Sequence, residues 1–97
     1  MKLLTEVIKS KLPPLYSQEH VKDPIAQVKF FFPASSWTWF PIEYSPAEGL
    51  FFGLVCGHEE EMGYFSLSEL ESVCVGGLRV ERDLHWTPRP LSQCKGS

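Results

Sequence analysis

The chain has 97 residues, of which 43% are hydrophobic and 13% aromatic, and its formal net charge at pH 7 is −3. This length fits one domain, and the hydrophobic content favours a folded chain over a disordered one. No segment approaches the roughly 20 apolar residues that a helix needs to cross a bilayer, so we expect a soluble protein without a membrane span.

Three cysteines, Cys56, Cys74 and Cys94, bear on the compartment. An odd number without export features favours reduced thiols in a cytoplasmic protein. Cys56 alternates with apolar residues, so we expect it in the core. Cys94 lies in a polar tail, where we expect it to be accessible enough to form an adventitious intermolecular disulfide.

The first predicted element is a short amphipathic helix from about Thr5 to Lys11, with Thr5 as the N-cap. The apolar stretch at the N-terminus stops at Thr5, which favours this helix over a signal peptide. Pro13 and Pro14 end the helix, and a polar connector follows, whose Tyr16 is expected to fold back on the core. The apolar face of the helix is formed by Leu4, Val7, Ile8 and Leu12.

Four strands are predicted next: Ile25–Phe32, Trp37–Tyr44, Leu50–Gly57 and Met62–Phe65. Alternation divides the second strand into two faces, one with Trp37, Trp39, Pro41 and Glu43 and the other with Thr38, Phe40, Ile42 and Tyr44. Pro41 has no N–H, which indicates an edge position or a bulge. Ser45 to Gly49 has the residues of a type I turn that ends in a left-handed glycine.

A second helix, Leu67–Val73, is predicted from the capping-box spacing of Ser66 and Glu69. Gly76-Gly77 ends that segment, and Leu78–Val80 and Asp83–Trp86 are candidate short strands in an extended tail. The sequence therefore predicts a single α+β domain. We expect a four- to five-stranded antiparallel meander sheet with a short N-terminal helix and a second short helix after strand four. Its segments are a helix and connector over 1–24, the meander over 25–65, a helix over 66–75 and the tail over 76–97.

Charge is distributed unevenly along the chain. Residues 30–78 contain no lysine or arginine and seven glutamates, whereas the segments on either side are mildly basic. This distribution weakens the case for nucleic-acid binding, which depends on Lys/Arg contacts to phosphates. It suits a surface that meets a basic protein partner, and the alternative is a solvated acidic face that only maintains solubility.

No set of residues with recognisable catalytic or cofactor-binding spacing is present. Cys56-Gly57-His58 is an incomplete zinc motif because it lacks a second pair of ligands, and Glu59 to Glu61 fit a hydrated turn. Nucleophile elbows and phosphate-binding glycine loops are absent from the sequence. We therefore expect no cofactor and no metal. The alternative is a small metal-dependent or acid/base enzyme that uses His58 with nearby carboxylates or His85.

Trp37 and Trp39 are the most distinctive aromatic pair, because residues two apart on a strand share a face. Aromatic side chains exceed what two short helices can cover, which indicates an interface and a possible homodimer. Single-stranded nucleic-acid binding through the two rings is a further alternative. Arg82 is expected to pair with the acidic meander and hold the tail. The predicted interaction surface consists of Trp37, Trp39, Glu43, His58, Glu59, Glu61, Tyr64 and Arg82.

Several runs along nearly the whole chain, taken together, are similar to one family: Val28–Phe31, Trp37–Trp39, Glu43–Tyr44, Leu50–Gly53, Gly57–Glu59, Glu61–Leu67, Glu81–Leu84, Pro88 and Pro90–Leu91. They resemble short proteins of unassigned function carried on bacterial plasmids, integrative elements and phages, at times near antirestriction genes. The resemblance implies a mobile-element accessory protein in a bacterial cytoplasm, with an anti-defence role as one possibility. It implies no activity and no catalytic residues. The family pattern has an Arg-Gly-Pro-like turn where this chain has Cys74–Gly77, so a role for a basic residue there is not carried over.

Overall fold

A computed structural model of the chain describes residues 1–95. Helix α1 is Glu6–Lys11, helix α2 is Leu67–Ser72, and a 3₁₀ turn spans Leu91–Gln93. The strands are β1 Ile25–Ala26, β2 Phe30–Phe31, β3 Thr38–Ser45, β4 Leu50–Cys56, β5 Glu60–Ser66, β6 Cys74–Val75, β7 Leu78–Arg79, β8 Glu81–Arg82 and β9 Arg89–Pro90. Within residues 1–95, no helix has the length and apolar character needed to cross a membrane.

The main sheet has five strands in the order β5-β4-β3-β2-β8, and every pair is antiparallel. Strands β2 to β5 form the predicted meander, and β8 is added beside β2. Two short pairs, β1 with β9 and β6 with β7, lie outside this sheet. The predicted α+β fold, with one helix at the N-terminus and one after the meander, is confirmed.

The predicted strand Ile25–Phe32 is divided between two sheets. Its first part, β1, pairs with β9 near the C-terminus, and only β2 enters the main sheet. Between them, the N–H of Gln27 donates to the carbonyl of Pro41 at 3.3 Å, outside any ladder. The candidate strand Asp83–Trp86 is also wrong, because the preceding pair Glu81–Arg82 is the one that pairs with β2.

Both helices begin at the residues that the sequence predicts. The Thr5 hydroxyl accepts from the N–H of Ile8 at 3.2 Å, and the Ser66 hydroxyl accepts from the N–H of Glu69 at 3.0 Å. These bonds satisfy N–H groups that have no partner within a helix. Val7, assigned to the apolar face of α1, is exposed instead. The sheet is covered here by Ile8 of α1 together with Leu4 and Leu12, which lie just outside the two ends of the helix.

A β-bulge at Ile42 changes the faces of β3. Pro41 lies opposite Gly53 and Glu43 lies opposite Phe52, so Ile42 is an extra residue in β3. This insertion reverses the alternation beyond Pro41. Tyr44 therefore joins the core cluster of Trp39, and Glu43 is on the other side of the sheet, contrary to the predicted faces. The bulge that Pro41 suggested is confirmed.

The two faces of the main sheet are covered by different parts of the chain. Both helices and the segment around Val80 cover the first face, whose buried residues are Leu3, Leu4, Leu12, Val28, Phe30, Tyr44, Phe51, Phe65, Leu70 and Val80. The C-terminal tail covers the second face, whose buried residues are Ala26, Phe40, Leu54 and Cys94. Burial of these side chains is the main source of stability in a chain of this size.

The tail is held on the second face by specific contacts. The indole N–H of Trp86 donates to the carbonyl of Ala26 at 3.0 Å, and the Arg89 guanidinium lies 4.0 Å from the Trp86 ring centroid. Asp23 accepts from the hydroxyl of Ser92 at 2.6 Å and from its N–H at 3.0 Å. These bonds from Ser92 lower the pKa of Asp23. The predicted tail is therefore docked, and its residues 96 and 97 lie outside the described part of the chain.

Gly53 is expected to tolerate no side chain. A Cβ there would lie 2.2 Å from the carbonyl oxygen of Phe40 and 2.8 Å from Cα of Pro41, both backbone atoms at the bulge. Gly53→Ala should lower the free energy of unfolding by about 1–3 kcal/mol, as overpacking does. Urea unfolding followed by circular dichroism measures the change.

The matched control for Gly53→Ala is Gly63→Ala, one strand away and directly opposite. A Cβ at Gly63 meets no atom within 4 Å. In dilute solution this variant should be as stable as the parent chain or up to about 1 kcal/mol more stable, because alanine loses less conformational entropy on folding than glycine. Equal effects of the two variants would contradict the close approach between Gly53 and the bulge.

Candidate functional site

Three rings form an aromatic corner at one end of the first face: Trp37, Trp39 and His58. The centroids of Trp37 and Trp39 are 6.0 Å apart, and His58 meets Trp37 edge-on at 5.7 Å. Trp37 lies directly over Gly57, where a Cβ would come within 2.4 Å of the indole ring. The glycine therefore provides the space for the ring, and Trp37 remains 36% exposed. The sequence identified the three rings but not the role of Gly57.

An acidic turn follows His58 and consists of Glu59 together with Glu60 and Glu61, the first two residues of β5, all three exposed. The turn is closed by the N–H of Gly57, which donates to the carbonyl of Glu59 at 3.1 Å. The Cys56 thiol lies 3.8 Å from a Glu60 carboxylate oxygen. Within residues 1–95 the one ion pair within 4.0 Å joins Lys9 and Glu6, so these three carboxylates form no salt bridge there.

Trp39 differs from Trp37 in its surroundings. It is half-buried and packs against the first core cluster, close to β2 and β4. Base stacking on successive nucleotides needs several accessible ring faces. Of the two indoles, that of Trp37 is the accessible one. The sequence-based alternative of single-stranded nucleic-acid binding through both rings is therefore left with one accessible ring.

Arg82 holds the N-terminal segment and is not a partner of the acidic meander. Its guanidinium donates to the carbonyls of Lys2 and Leu3, the latter at 3.0 Å, and its backbone N–H lies 3.2 Å from the Met1 sulfur. The predicted pairing with meander carboxylates is wrong. The Arg82 guanidinium suits these carbonyls because backbone carbonyls are strong acceptors and hydrogen bonds from a charged donor are stronger than neutral ones.

Glu43, predicted on the interaction surface, is only 3% exposed. One carboxylate oxygen accepts from the N–H of Tyr16 at 2.9 Å, and the other accepts from the N–H of Gln18 at 2.7 Å. Tyr16 has φ of 71°, a left-handed conformation that is uncommon outside glycine. The carboxylate therefore stabilises this turn from within, because charge-assisted hydrogen bonds are stronger than neutral ones.

Tyr64 lies on the second face, away from the aromatic corner. Its ring is 4.7 Å from that of Phe52 on the neighbouring strand, and its side chain is 53% exposed. Partial loss of hydration and the neighbouring Tyr16 raise the pKa of Tyr64. Tyr16, expected to fold back on the core, is exposed. The eight predicted surface residues are therefore not one patch.

The residues of the enzyme alternative lie at different places in the fold. His58 follows β4 and contacts Trp37, whereas His85 lies in the turn after β8, where its N–H donates to Asp83 at 2.9 Å. In the described part of the chain, no three His, Cys, Asp or Glu side chains are grouped so that they can hold a metal ion. The geometry brings together His58, Glu59 and Glu61 as an exposed end of the sheet.

Replacement of Glu43 by glutamine should destabilise the fold. The amide side chain would offer one acceptor oxygen and one NH₂ group, so one of the two N–H groups of Tyr16 and Gln18 would lose its partner. An unpaired buried donor costs about 1–3 kcal/mol. Urea unfolding should show Glu43→Gln destabilised by that amount and the exposed turn variant Glu48→Gln unchanged. Equal stability of the two variants would contradict the anchoring role.

The thiols should differ sharply in reactivity. Cys94, expected to be accessible, is 0% exposed, and burial raises its pKa to about 11, whereas Cys74 is exposed. Because thiolate is the reactive form, iodoacetamide at pH 8 should label Cys74 and leave Cys94 unmodified until the chain unfolds. Cys56, expected in the core, is half-buried, and burial followed by the charge of Glu60 raises its pKa.

Mass spectrometry of the labelled peptides measures the extent of modification at each of the three cysteines.

The folded state favours the neutral Cys94 thiol. The contribution of this thiol to folding stability is therefore complete below the ordinary thiol pKa of about 9 and is lost as pH rises through about 11. Cys94→Ser should show a weaker loss of stability over that alkaline range than the parent chain. Labelling of Cys94 as fast as Cys74 in the folded protein would refute its burial.

Comparison with known families shows which family the chain belongs to. The family described as "Protein of unknown function (DUF2958)" matches residues 3–94, which is nearly the whole chain. The chain therefore belongs to this family. No curated protein and no solved structure gives a significant match. The family description assigns no activity.

Proposed function

We propose that the chain is a non-enzymatic protein-binding module whose aromatic corner and acidic turn contact a basic surface of another protein. The observation that carries this proposal is the position of Trp37. Its exposed indole lies over Gly57 and is flanked by His58, at the end of the sheet that carries Glu59 and Glu61. Glu60 contacts Cys56 on the second face instead. An exposed aromatic ring with a defined position is a typical centre of a protein interface, and charged residues are typical of the rim around it.

The packing of the aromatic corner supports binding at a low entropic cost. Trp39 is half-buried in the first core cluster, and Trp37 contacts Trp39, His58 and Gly57. A side chain that is already held in place loses little freedom when a partner covers it. Tryptophan is also among the residues whose removal most often reduces affinity at interfaces.

The charge of the acidic turn supports a basic partner. Residues 30–78 contain no lysine or arginine, and Glu59, Glu60 and Glu61 form no salt bridge within residues 1–95. Such a negative surface attracts a positively charged protein and accelerates its encounter, and salt screens this attraction. The association we propose therefore weakens as ionic strength rises.

The resemblance to mobile-element proteins suggests the class of partner. Proteins that bind DNA present basic surfaces to its phosphates, and an acidic protein can occupy the same surface. We include in the proposal that the partner is a DNA-binding defence protein of the bacterial host and that the module competes with DNA for it. This part is an analogy with the gene context of similar proteins and not a property of the fold.

An affinity-capture experiment tests the proposal. The parent chain, a triple variant with Trp37→Ala, Glu59→Gln and Glu61→Gln, and the control Leu84→Ser are immobilised and exposed to a bacterial lysate. We expect the parent and the control to retain a basic protein that the triple variant loses. Added double-stranded DNA should release that protein from the parent chain, and raising salt from 50 to 300 mM should do the same.

The affinity for the captured protein is then measured with the purified components by calorimetry. Trp37→Ala alone should weaken binding at least about tenfold, corresponding to about 1.4 kcal/mol. Leu84 is exposed outside the aromatic corner, so Leu84→Ser controls for general loss of apolar surface. Identical protein sets on all three baits, or affinity that Trp37→Ala leaves unchanged, would contradict the proposal.

A further inference from the structure

Strand β5 is an open edge of the main sheet. Its seven residues, Glu60–Ser66, pair with β4 on one side, and within residues 1–95 no strand pairs on the other side. The opposite edge of the sheet is the two-residue strand β8. An unpaired strand of this length presents a row of backbone donors and acceptors that another strand can pair with.

Two hydrogen bonds at the ends of the β4–β5 ladder show which backbone groups of β5 face outward. Gly57 N–H donates to the Glu59 carbonyl at 3.1 Å, and Leu67 N–H donates to the Gly49 carbonyl at 2.9 Å. Hydrogen-bonded and non-hydrogen-bonded pairs alternate along an antiparallel ladder. The two end pairs, Gly57–Glu59 and Gly49–Leu67, are hydrogen-bonded, and so is every second residue pair between them. Gly53–Gly63 is one of these hydrogen-bonded pairs.

The same alternation makes Met62 and Tyr64 members of non-hydrogen-bonded pairs with β4. Their N–H and C=O groups therefore point to the open edge. Their side chains lie on the second face, opposite Leu54 and Phe52, and are 42% and 53% exposed. The open edge thus combines available hydrogen-bonding groups with two large, exposed side chains.

Gly63 lies between these two residues, and the folded chain by itself does not require a glycine there. A Cβ at Gly63 would meet no atom within 4 Å, and its φ is outside the left-handed region. A glycine in the interior of a strand weakens that strand, and it often marks a place where another backbone approaches closely. This observation is independent of the exposure of Met62 and Tyr64.

We infer that β5 pairs antiparallel with β5 of a second copy of the chain, around a two-fold axis at Gly63. Gly63 is the middle of the strand, so this register pairs all seven residues. Met62 then exchanges hydrogen bonds with the partner's Tyr64, and the two main sheets join into one of ten strands. The two glycines face each other as a non-hydrogen-bonded pair, where Cα atoms are closest, at about 4.5 Å.

Charge supports this register. Glu60 lies opposite the partner's Ser66, and Glu61 lies opposite the partner's Phe65, so no carboxylates face each other. Pairing in parallel, or antiparallel about Glu61, would place glutamates directly opposite each other, which is destabilising. On the second face, Met62 and the partner's Tyr64 become cross-strand neighbours, a favourable contact between sulfur and an aromatic ring.

This inference rests on the backbone of β5 and not on the proposed function, and the two share Glu60 and Glu61, which belong to both β5 and the acidic turn. The aromatic corner is centred beside β3, two strands from the β5 edge, so the pairing leaves Trp37 accessible. A two-fold β-strand pairing is also a closed contact that stops at the dimer, because each copy uses its one β5 edge.

Sedimentation equilibrium tests the dimer. We expect a mass twice the 11.1 kDa of the chain at high concentration and a shift to monomer on dilution. The double variant Met62→Lys and Tyr64→Lys places lysines opposite each other and should weaken self-association at least about tenfold. Leu84→Lys changes a solvent-accessible apolar side chain outside β5 and should leave the association unchanged. A parent chain that stays monomeric at millimolar concentration, or a dimer that the double variant leaves intact, would overturn the inference.

A disulfide experiment tests the register. In a Cys74→Ser background, Gly63→Cys brings two thiols onto the axis, with Cα atoms at about 4.5 Å, inside the disulfide range. Glu61→Cys serves as the matched control, because in this register its two copies are four positions apart, at roughly 13 Å. Mild oxidation should yield a covalent dimer with Gly63→Cys but not with Glu61→Cys. Equal dimer from both, or dimer from Glu61→Cys alone, would overturn the register.

Discussion

The extra residue Ile42 in β3 decides which side chains lie on each face of the sheet. Pro41 cannot donate a hydrogen bond, and Gly53 lets the bulged backbone approach β4 closely. Beyond the bulge, Tyr44 lies on the face covered by the helices, while Glu43 turns to the other face. There its carboxylate binds the N–H groups of Tyr16 and Gln18. The bulge therefore places Glu43 where its carboxylate can hold the connector after α1.

The bulge also changes the meaning of the acidic segment. Of its seven glutamates, Glu43 stabilises the interior, whereas the acidic turn is exposed at the end of the β4–β5 hairpin. The inner strands β3 and β4 are covered on both faces by helices, connector and tail. Large exposed side chains are consequently confined to the periphery. Trp37 lies at one end of the sheet, and Met62 and Tyr64 lie along one edge. These two regions have different physical characters and support different contacts.

Features that depend on neighbouring residues were predictable. The caps at Thr5 and Ser66, the hairpin strands β3 to β5 and the left-handed Gly49 follow from spacing over a few positions. Features set by distant partners were not predictable. The first strand is divided because β1 pairs with β9, more than 60 residues away, and Cys94 is buried because the tail covers the second face. Arg82 contacts carbonyls at the N-terminus for the same reason: its partners are close only in the folded chain.

The sequence by itself determined the fold class, the meander and the aromatic and acidic character of the candidate site. Hydrophobic periodicity, turn type and local charge depend on residues that are close together in the sequence. Only the tertiary structure decided which of those residues are accessible. Exposure is set by the bulge register, by the docking of the tail and by the place of each strand in the sheet. Glu43 is therefore buried while the acidic turn is exposed, and Trp37 is more exposed than Trp39. Tyr64 lies on the other face of the sheet from the aromatic corner. The physical reason is that burial is a property of the assembled layers and not of any single segment.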